Sequence, residues 1–203
     1  MESENTTLLQ IHNAAKEEFM NKGFLSASLR NIVKTAGVTT GAFYGYYRSK
    51  EELFAALVDD AYKHLMDMYK SALNAFSELP AEKQPENMGK ISQECMLEML
   101  SYMLENKDVF HLLLECSEGT RYAFMIDEVV ELEVEATHRY YNVLKELGGN
   151  MPKVDERLEH ILLTGMMNAY FEIIIHEMPF DDAKIYLREL NDFYTAGWLK
   201  LMG

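Results

Sequence analysis

The apolar residues of this chain recur at helical spacing along almost its whole length. In the first segment Ile11, Ala15 and Phe19 follow one another at four-residue intervals, and Gly23 supplies a helix stop. Alternating apolar and polar residues, which indicate strands, are almost absent. The pattern therefore predicts an all-α fold with about nine helices.

Two short helices are predicted between residues 28 and 47. Ser28 opens the first of them, and Gly37 ends it. Either Thr39 or Thr40 caps the second, which follows almost at once. We expect these two helices to pack together across the turn.

A fourth, long helix is predicted from Lys50 to about Phe76. Ser49 and Glu52 have the spacing of a capping box at its start, and no breaker interrupts it. Its apolar residues form a single stripe suited to burial: Leu53, Leu57, Ala61, Leu65 and Met68. Further helices are predicted at about 87–105, 108–117, 121–147, 155–177 and 181–201.

The net charge of −14 is distributed unevenly along the 203 residues. Residues 1–50 hold six basic and four acidic side chains, or +2, so the remaining 153 residues carry −16. Phosphate binding depends on Lys and Arg, and an acidic surface is repelled by DNA. Any contact with nucleic acid is therefore expected within the first 50 residues.

The stretch from Ser28 to Tyr47 has the pattern of a helix-turn-helix. Gly37 suits the positive φ that the turn at Ala36-Gly37-Val38 requires. The second helix would present Thr40 and Tyr44 to a major groove, which is wide enough for one helix. The segment therefore predicts binding to double-stranded DNA.

Residues 8–55 resemble the DNA-binding domain of the tetracycline repressor (TetR) family. The run from Ala36 to Leu53, AGVTTGAFYGYYRSKEEL, carries most of the match. The resemblance implies a helix-turn-helix DNA-binding domain over residues 1–50. It also implies a helical ligand-binding and dimerisation domain over residues 51–203, and hence a ligand-responsive transcriptional repressor.

Several positions correspond to DNA-contacting positions of the family. Those that resemble its phosphate contacts are Ser28, Tyr44, Tyr46 and Lys50, and those that fall where members approach base edges are Arg30, Thr40 and Gly41. Phe43 and Tyr47 match positions packed inside the domain. Gly45 replaces a position that usually bears a side chain, and Ala42 stands where a hydroxyl residue is common, so neither position supplies a polar side-chain contact to DNA.

The rest of the chain is rich in methionine and aromatic side chains, which suit an adaptable pocket for a lipophilic or aromatic small molecule. Such residues are also ordinary core, and the family resemblance favours the pocket. The candidate lining residues are Tyr62, Met66, Tyr69, Met99, Met103, Phe110, Tyr122, Met125, Tyr140, Met166 and Tyr170.

The last two predicted helices carry more apolar surface than one amphipathic pair needs. Gly165 and Gly197 are candidate points of close helix approach. We therefore expect a homodimer through residues 155–201, whose two-fold axis would match a palindromic operator. The alternative is that these glycines pack within one subunit.

Two other classes of protein remain open at this point. Glu135-Ala-Thr-His138 has the Glu-x-x-His spacing of di-iron helical bundles, with an imperfect second copy at Asp108-Val-Phe-His111. A protein of this fold could also bind a partner protein instead of DNA. We predict neither: no catalytic residue, metal or cofactor is expected, and the absence of a long apolar run or basic leader predicts a cytoplasmic protein without a membrane partner.

Overall fold

The computed structural model describes residues 2–149 and 154–202, and Met1, residues 150–153 and Gly203 lie outside it. The described residues form nine α-helices and two 3-10 turns, without a strand, so the all-α prediction is confirmed. The helices are α1 (Glu2–Ser26), α2 (Leu29–Thr35), α3 (Thr40–Tyr44), α4 (Lys50–Ser77), α5 (Gln84–Glu105), α6 (Lys107–Glu115), α7 (Met125–Glu146), α8 (Glu156–Ile175) and α9 (Phe180–Met202).

Most helix bounds lie close to the predicted ones. α4 differs by one residue from the predicted end, and Gly23, with φ 69° and ψ 165°, interrupts α1 where the helix stop was expected. The largest difference lies at the start of α7. Residues Arg121–Phe124 form a 3-10 turn there, so the α-helix begins at Met125 rather than at residue 121.

The chain divides into two compact units by its own contacts, while the division into a DNA-binding domain and a ligand-binding domain after residue 50 stays a prediction. The first unit contains the residues up to Lys63 together with Asn106–Ala123, and the second contains His64–Glu105 and the residues from Phe124 onward. α6 joins the first unit because it packs on α1, where the Phe24 N–H donates to the Cys116 carbonyl at 2.8 Å. Because α6 and α1 are far apart in the sequence, the sequence pattern alone does not predict that they belong to the same unit.

Aromatic side chains fill the core of the first unit. Phe19, Phe24 and Phe54 contact one another, with ring centroids 5.1–5.9 Å apart. Ile32 and Phe43, from the two short helices, are also completely buried. This packing holds α2 and α3 on the scaffold of α1 and α4.

In the second unit α8 packs against α5, α7 and α9. Tyr170 and Phe171 are buried at its centre, and the Tyr170 hydroxyl donates to the Met96 carbonyl at 2.8 Å. α8 has a mean hydropathy of 1.2, and within the described chain it alone has the length and composition of a membrane span. It packs against three other helices, while Leu158 and Ile161 near its start are exposed.

Candidate nucleic-acid interface and ligand cavity

Local hydrogen bonds define the helix-turn-helix. The Ser28 hydroxyl accepts from the Asn31 N–H, and the Thr39 hydroxyl accepts from the Ala42 N–H at 3.1 Å. Each side chain satisfies a backbone donor that the first turn of a helix leaves without a partner. Gly37 has φ 67°, as predicted for the turn between the helices. The Ser28 cap stabilises the start of α2, and the Thr39 cap stabilises the start of α3 directly after the turn.

The predicted base-contacting residues lie on an exposed surface. Arg30 on α2 and Thr40 and Gly41 on α3 are all exposed, while Phe43 of α3 is completely buried. Burial of Phe43 therefore anchors α3 in the first unit while Thr40 and Gly41 stay exposed.

The predicted phosphate contacts differ in their exposure. Tyr44 is 54% exposed, whereas Ser28 and Tyr46 are half-buried.

Tyr47, expected to pack inside, is half-buried and forms a 2.5 Å hydrogen bond with His12 Nε2. Burial lowers the pKa of His12 and raises that of Tyr47, so both groups are neutral near pH 7. This bond ties the loop after α3 to α1.

Lys50 is placed differently from the prediction. Its Nζ donates to the carbonyls of Phe24, Leu25 and Ala27 at 2.5, 3.3 and 3.1 Å. The same ammonium lies 4.4 Å from the centre of the Phe24 ring. In this arrangement its donors are engaged within the protein, and the predicted phosphate contact is not the role that the geometry favours. Lys50 instead holds the turn between α1 and α2.

Two adjoining cavities lie in the second unit among α4, α5, α7, α8 and α9. The empty space in them, including the solvent at their open mouths, is about 660 and 770 Å³. The residues common to both are Met88, Ser92, Glu133, Thr137, Tyr140 and Met166.

Glu133 is a carboxylate in this mainly apolar lining. Its Oε2 accepts a short hydrogen bond from the Tyr69 hydroxyl. Burial raises the pKa of Glu133, an effect that the Tyr69 hydrogen bond opposes. The pKa of Tyr69 is well above its usual value because of burial and the neighbouring carboxylate. Tyr69 therefore remains a protonated donor at neutral pH.

The structure brings only part of the predicted pocket set together. Tyr69, Tyr140 and Met166 line the first cavity. The remaining candidates do not line either cavity: Tyr62, Phe110 and Tyr122 belong to the first unit, and Met66, Met99, Met103, Met125 and Tyr170 are buried core of the second. Periodicity alone does not distinguish a core position from a cavity wall.

Methionine and aromatic character, which predict the pocket from the sequence, do not identify Glu133. A signal was nevertheless present, because Glu133 lies four residues after Val129 and four before Thr137 on the inward stripe of α7. An acidic residue on an apolar helix face costs free energy unless it has a partner or a role. An acidic residue at such a position therefore indicates a candidate ligand site.

The Glu-x-x-His segment has other partners. His138 Nε2 lies 2.6 Å from Glu159 Oε2, and Glu135 lies 3.8 Å from Arg139. Within residues 2–149 and 154–202, no three His, Cys, Asp or Glu side chains come together as a metal site. His138 thus serves a contact between α7 and α8.

Comparison with known proteins agrees with this arrangement. Residues 11–57 match the family model for bacterial regulatory proteins of the tetR family. The uncharacterized HTH-type transcriptional regulator YdgC of Bacillus subtilis is 42% identical over 60 residues, which are 30% of this chain and 31% of that protein. The chain thus matches about a third of the length of this relative.

Solved structures share the fold over nearly the whole chain. A transcriptional regulator from Aquifex aeolicus has a TM-score of 0.57 and 22% identity, covering 90% of this chain and 96% of its own. FadR from Bacillus subtilis, solved in complex with stearoyl-CoA, has a TM-score of 0.56 and 16% identity, covering 93% and 98%. Residues 11–57 thus match the tetR family of bacterial regulatory proteins, and the chain as a whole shares the helical fold of these solved regulators.

Proposed function

We propose that this protein is a cytoplasmic transcriptional repressor that binds a palindromic DNA operator and leaves it when a small lipophilic molecule occupies the second unit. The observation that carries the proposal is the exposed α3, held by caps and a buried Phe43 within the stretch that matches the family model. Arg30, Thr40 and Gly41 are proposed to contact base edges. Ser28, Tyr44 and Tyr46 are proposed to contact phosphates.

A gel shift with DNA from upstream of its own gene tests DNA binding. Arg30→Ala should relax the choice of one operator position and cost about 1–3 kcal/mol. Arg139→Ala removes the same charge from an exposed position on α7 and is the matched control. Selection from a random DNA pool measures the preference. Identical preferred sites for wild type and Arg30→Ala would contradict the base contact.

The second candidate function is binding to a partner protein in place of DNA. Residues 51–203 carry a net charge of −16, which repels nucleic acid, so a protein is the more favourable partner for this part of the chain. Failure to shift any promoter DNA at low salt would support this alternative.

A second copy of the chain is proposed to cover the exposed apolar side chains of α8 and α9. Ile161 is 63% exposed and Phe193 72% exposed, and Leu158, Ile185 and Tyr186 are also exposed. Apolar side chains gathered on two neighbouring helices favour an isologous contact through residues 155–201. Phe193→Glu should shift the molecular mass seen in sedimentation toward that of a monomer. An unchanged mass would contradict this interface.

α4 is proposed to couple the ligand to the operator. It is one helix from Lys50 to Ser77, contributing its first half to the first unit and its second half to the second. Tyr69 and Phe76, in its second half, line the first cavity. A ligand that favours one orientation of α4 would change the spacing of the two recognition helices in a dimer and weaken operator binding.

Calorimetry with and without saturating operator tests this coupling. By linkage, DNA must weaken ligand binding by the same factor by which ligand weakens DNA binding. Equal ligand affinities in the two titrations would refute the coupling through α4.

A further inference from the structure

The charge of the effector is indicated by Glu133. Among the described residues that line the two cavities, Glu133 is the one charged side chain, and it borders both. We propose that the effector is a lipophilic cation whose amine or quaternary ammonium group pairs with the Glu133 carboxylate. This assignment rests on the ligand-responsive function proposed above.

The carboxylate has a hydrogen-bond donor but no counter-charge in the described part of the chain. Tyr69 donates to Oε2, and none of the ion pairs formed by the described residues includes Glu133. A carboxylate accepts about four hydrogen bonds, so capacity remains. A negative charge among apolar side chains is unfavourable unless a cation pairs with it. A bound ammonium group would supply that missing charge.

Electrostatics disfavour an anionic effector in the same cavities. Their described lining contains no Lys, Arg or His side chain to receive a carboxylate or phosphate. Residues 64–105 and 124–203 hold 22 acidic and 10 basic side chains, a net charge of −12. Such a field concentrates cations near the second unit and repels anions.

Aromatic rings offer a second attraction for a cation. Phe76 and Tyr140 line the first cavity and pack edge to face, with centroids 5.4 Å apart. Ring faces attract ammonium groups, most strongly when water is excluded. Met88 and Met166, in both linings, adapt their shape to the hydrocarbon part of a ligand. The cavities therefore combine an apolar wall with one negative group.

Three probes with the same ten-carbon chain isolate the effect of head-group charge. Decyltrimethylammonium is cationic, 1-decanol is neutral and decanoate is anionic. Calorimetric titration of the full chain should give an affinity for the cation at least tenfold above that for the alcohol, with decanoate weakest. Salt should reduce the preference because screening weakens the attraction.

Glu133→Gln removes the charge and keeps an oxygen that accepts from Tyr69. It should abolish the tenfold preference for the cation over 1-decanol. Glu131→Gln removes the same charge from an exposed position two residues earlier on α7 and should keep the preference. If Glu133→Gln does not fold, Thr137→Lys provides an independent test. It places a cation one helical turn from Glu133 in both linings and should also abolish the preference.

The outcomes separate this assignment from the regulatory function. Equal or tighter binding of 1-decanol or decanoate, an unchanged preference in Glu133→Gln, or no binding by any probe would overturn the cationic class. Loss of the preference in Glu133→Gln but not in Glu131→Gln would support it. If binding of the cation depends on Glu133 but does not change the affinity for the operator, the cationic class is supported and the proposed release from DNA is refuted.

Discussion

Replacing Lys50 by methionine distinguishes a phosphate contact from a structural role. The substitution removes the ammonium group and keeps an unbranched apolar stem. In the structure that ammonium donates to the carbonyls of Phe24, Leu25 and Ala27 and lies over the Phe24 ring. Lys50→Met should therefore destabilise the turn that connects α1 to the helix-turn-helix.

The expected loss follows from the three hydrogen bonds. Hydrogen bonds to charged groups contribute about 1.5–3 kcal/mol each, but their energies are not additive. The Phe24 and Ala27 carbonyls lie at 2.5 and 3.1 Å in partly buried positions, while the Leu25 contact is exposed and longer, at 3.3 Å. Contact with the Phe24 ring adds about 0.5–1 kcal/mol. Because water replaces part of what is lost, we expect about 2–3 kcal/mol of destabilisation.

Urea unfolding followed by circular dichroism measures this change, with Lys70→Met as the control. Lys70 is exposed on the same helix, so its replacement should change the free energy of unfolding by less than about 0.5 kcal/mol. The salt dependence of operator binding supplies the second measurement. A lost phosphate contact would flatten the slope of log K against log salt by about 0.9 per subunit. Lys50→Met should leave that slope unchanged.

The opposite combination would refute this reasoning. If Lys50→Met left the free energy of unfolding unchanged and flattened the salt slope by about one unit per subunit, Lys50 would be a phosphate contact after all. The hydrogen bonds to the turn would then contribute little in solution.

Three further substitutions test other parts of the structure. Gly37→Ala should lower the free energy of unfolding by about 1–2 kcal/mol, because its φ of 67° is unfavourable for alanine even though no neighbouring atom blocks the added methyl group. Gly41→Ala should instead raise the free energy of unfolding by up to about 1 kcal/mol, because alanine is the better helix former. Equal effects of the two changes on urea unfolding would contradict the turn geometry. Tyr69→Phe should raise the pKa of Glu133 further, since it removes a hydrogen bond that lowers it, and carbon-13 NMR titration of glutamate carboxyls would detect the shift. An unchanged or lower pKa would disprove that contact. Tyr170→Phe should cost about 1–3 kcal/mol by leaving a buried carbonyl without its donor, and a loss below about 0.5 kcal/mol in thermal unfolding would argue against that hydrogen bond.

The raised pKa of Glu133 also has a consequence for stability. A carboxyl group whose pKa is higher in the folded state favours folding most at low pH, and that contribution is lost as pH rises through the folded pKa. Glu133→Gln should therefore stabilise the protein more at pH 8 than at pH 5. Unfolding free energies at the two pH values test this, and a larger gain at pH 5 would contradict the direction of the shift.

The sequence by itself determined the helices and the helix-turn-helix. Ser28, Thr39 and Gly37 act on backbone groups within a few residues, through caps and a positive φ that their own chemistry favours. The buried stripe of α4 is likewise readable because its members repeat along a single helix. Such features depend on neighbours in the chain, so they can be predicted before any tertiary contact is known.

Tertiary structure alone decided which distant residues meet. Lys50 binds carbonyls 23 to 26 residues away, and Tyr69 bonds to Glu133, 64 residues away. α6 joins the first unit through its packing on α1. No local preference encodes these partners, because they arise when helices pack and bury their apolar faces together. The same packing determines which inward-facing residues fill the core and which, like Glu133, border a cavity.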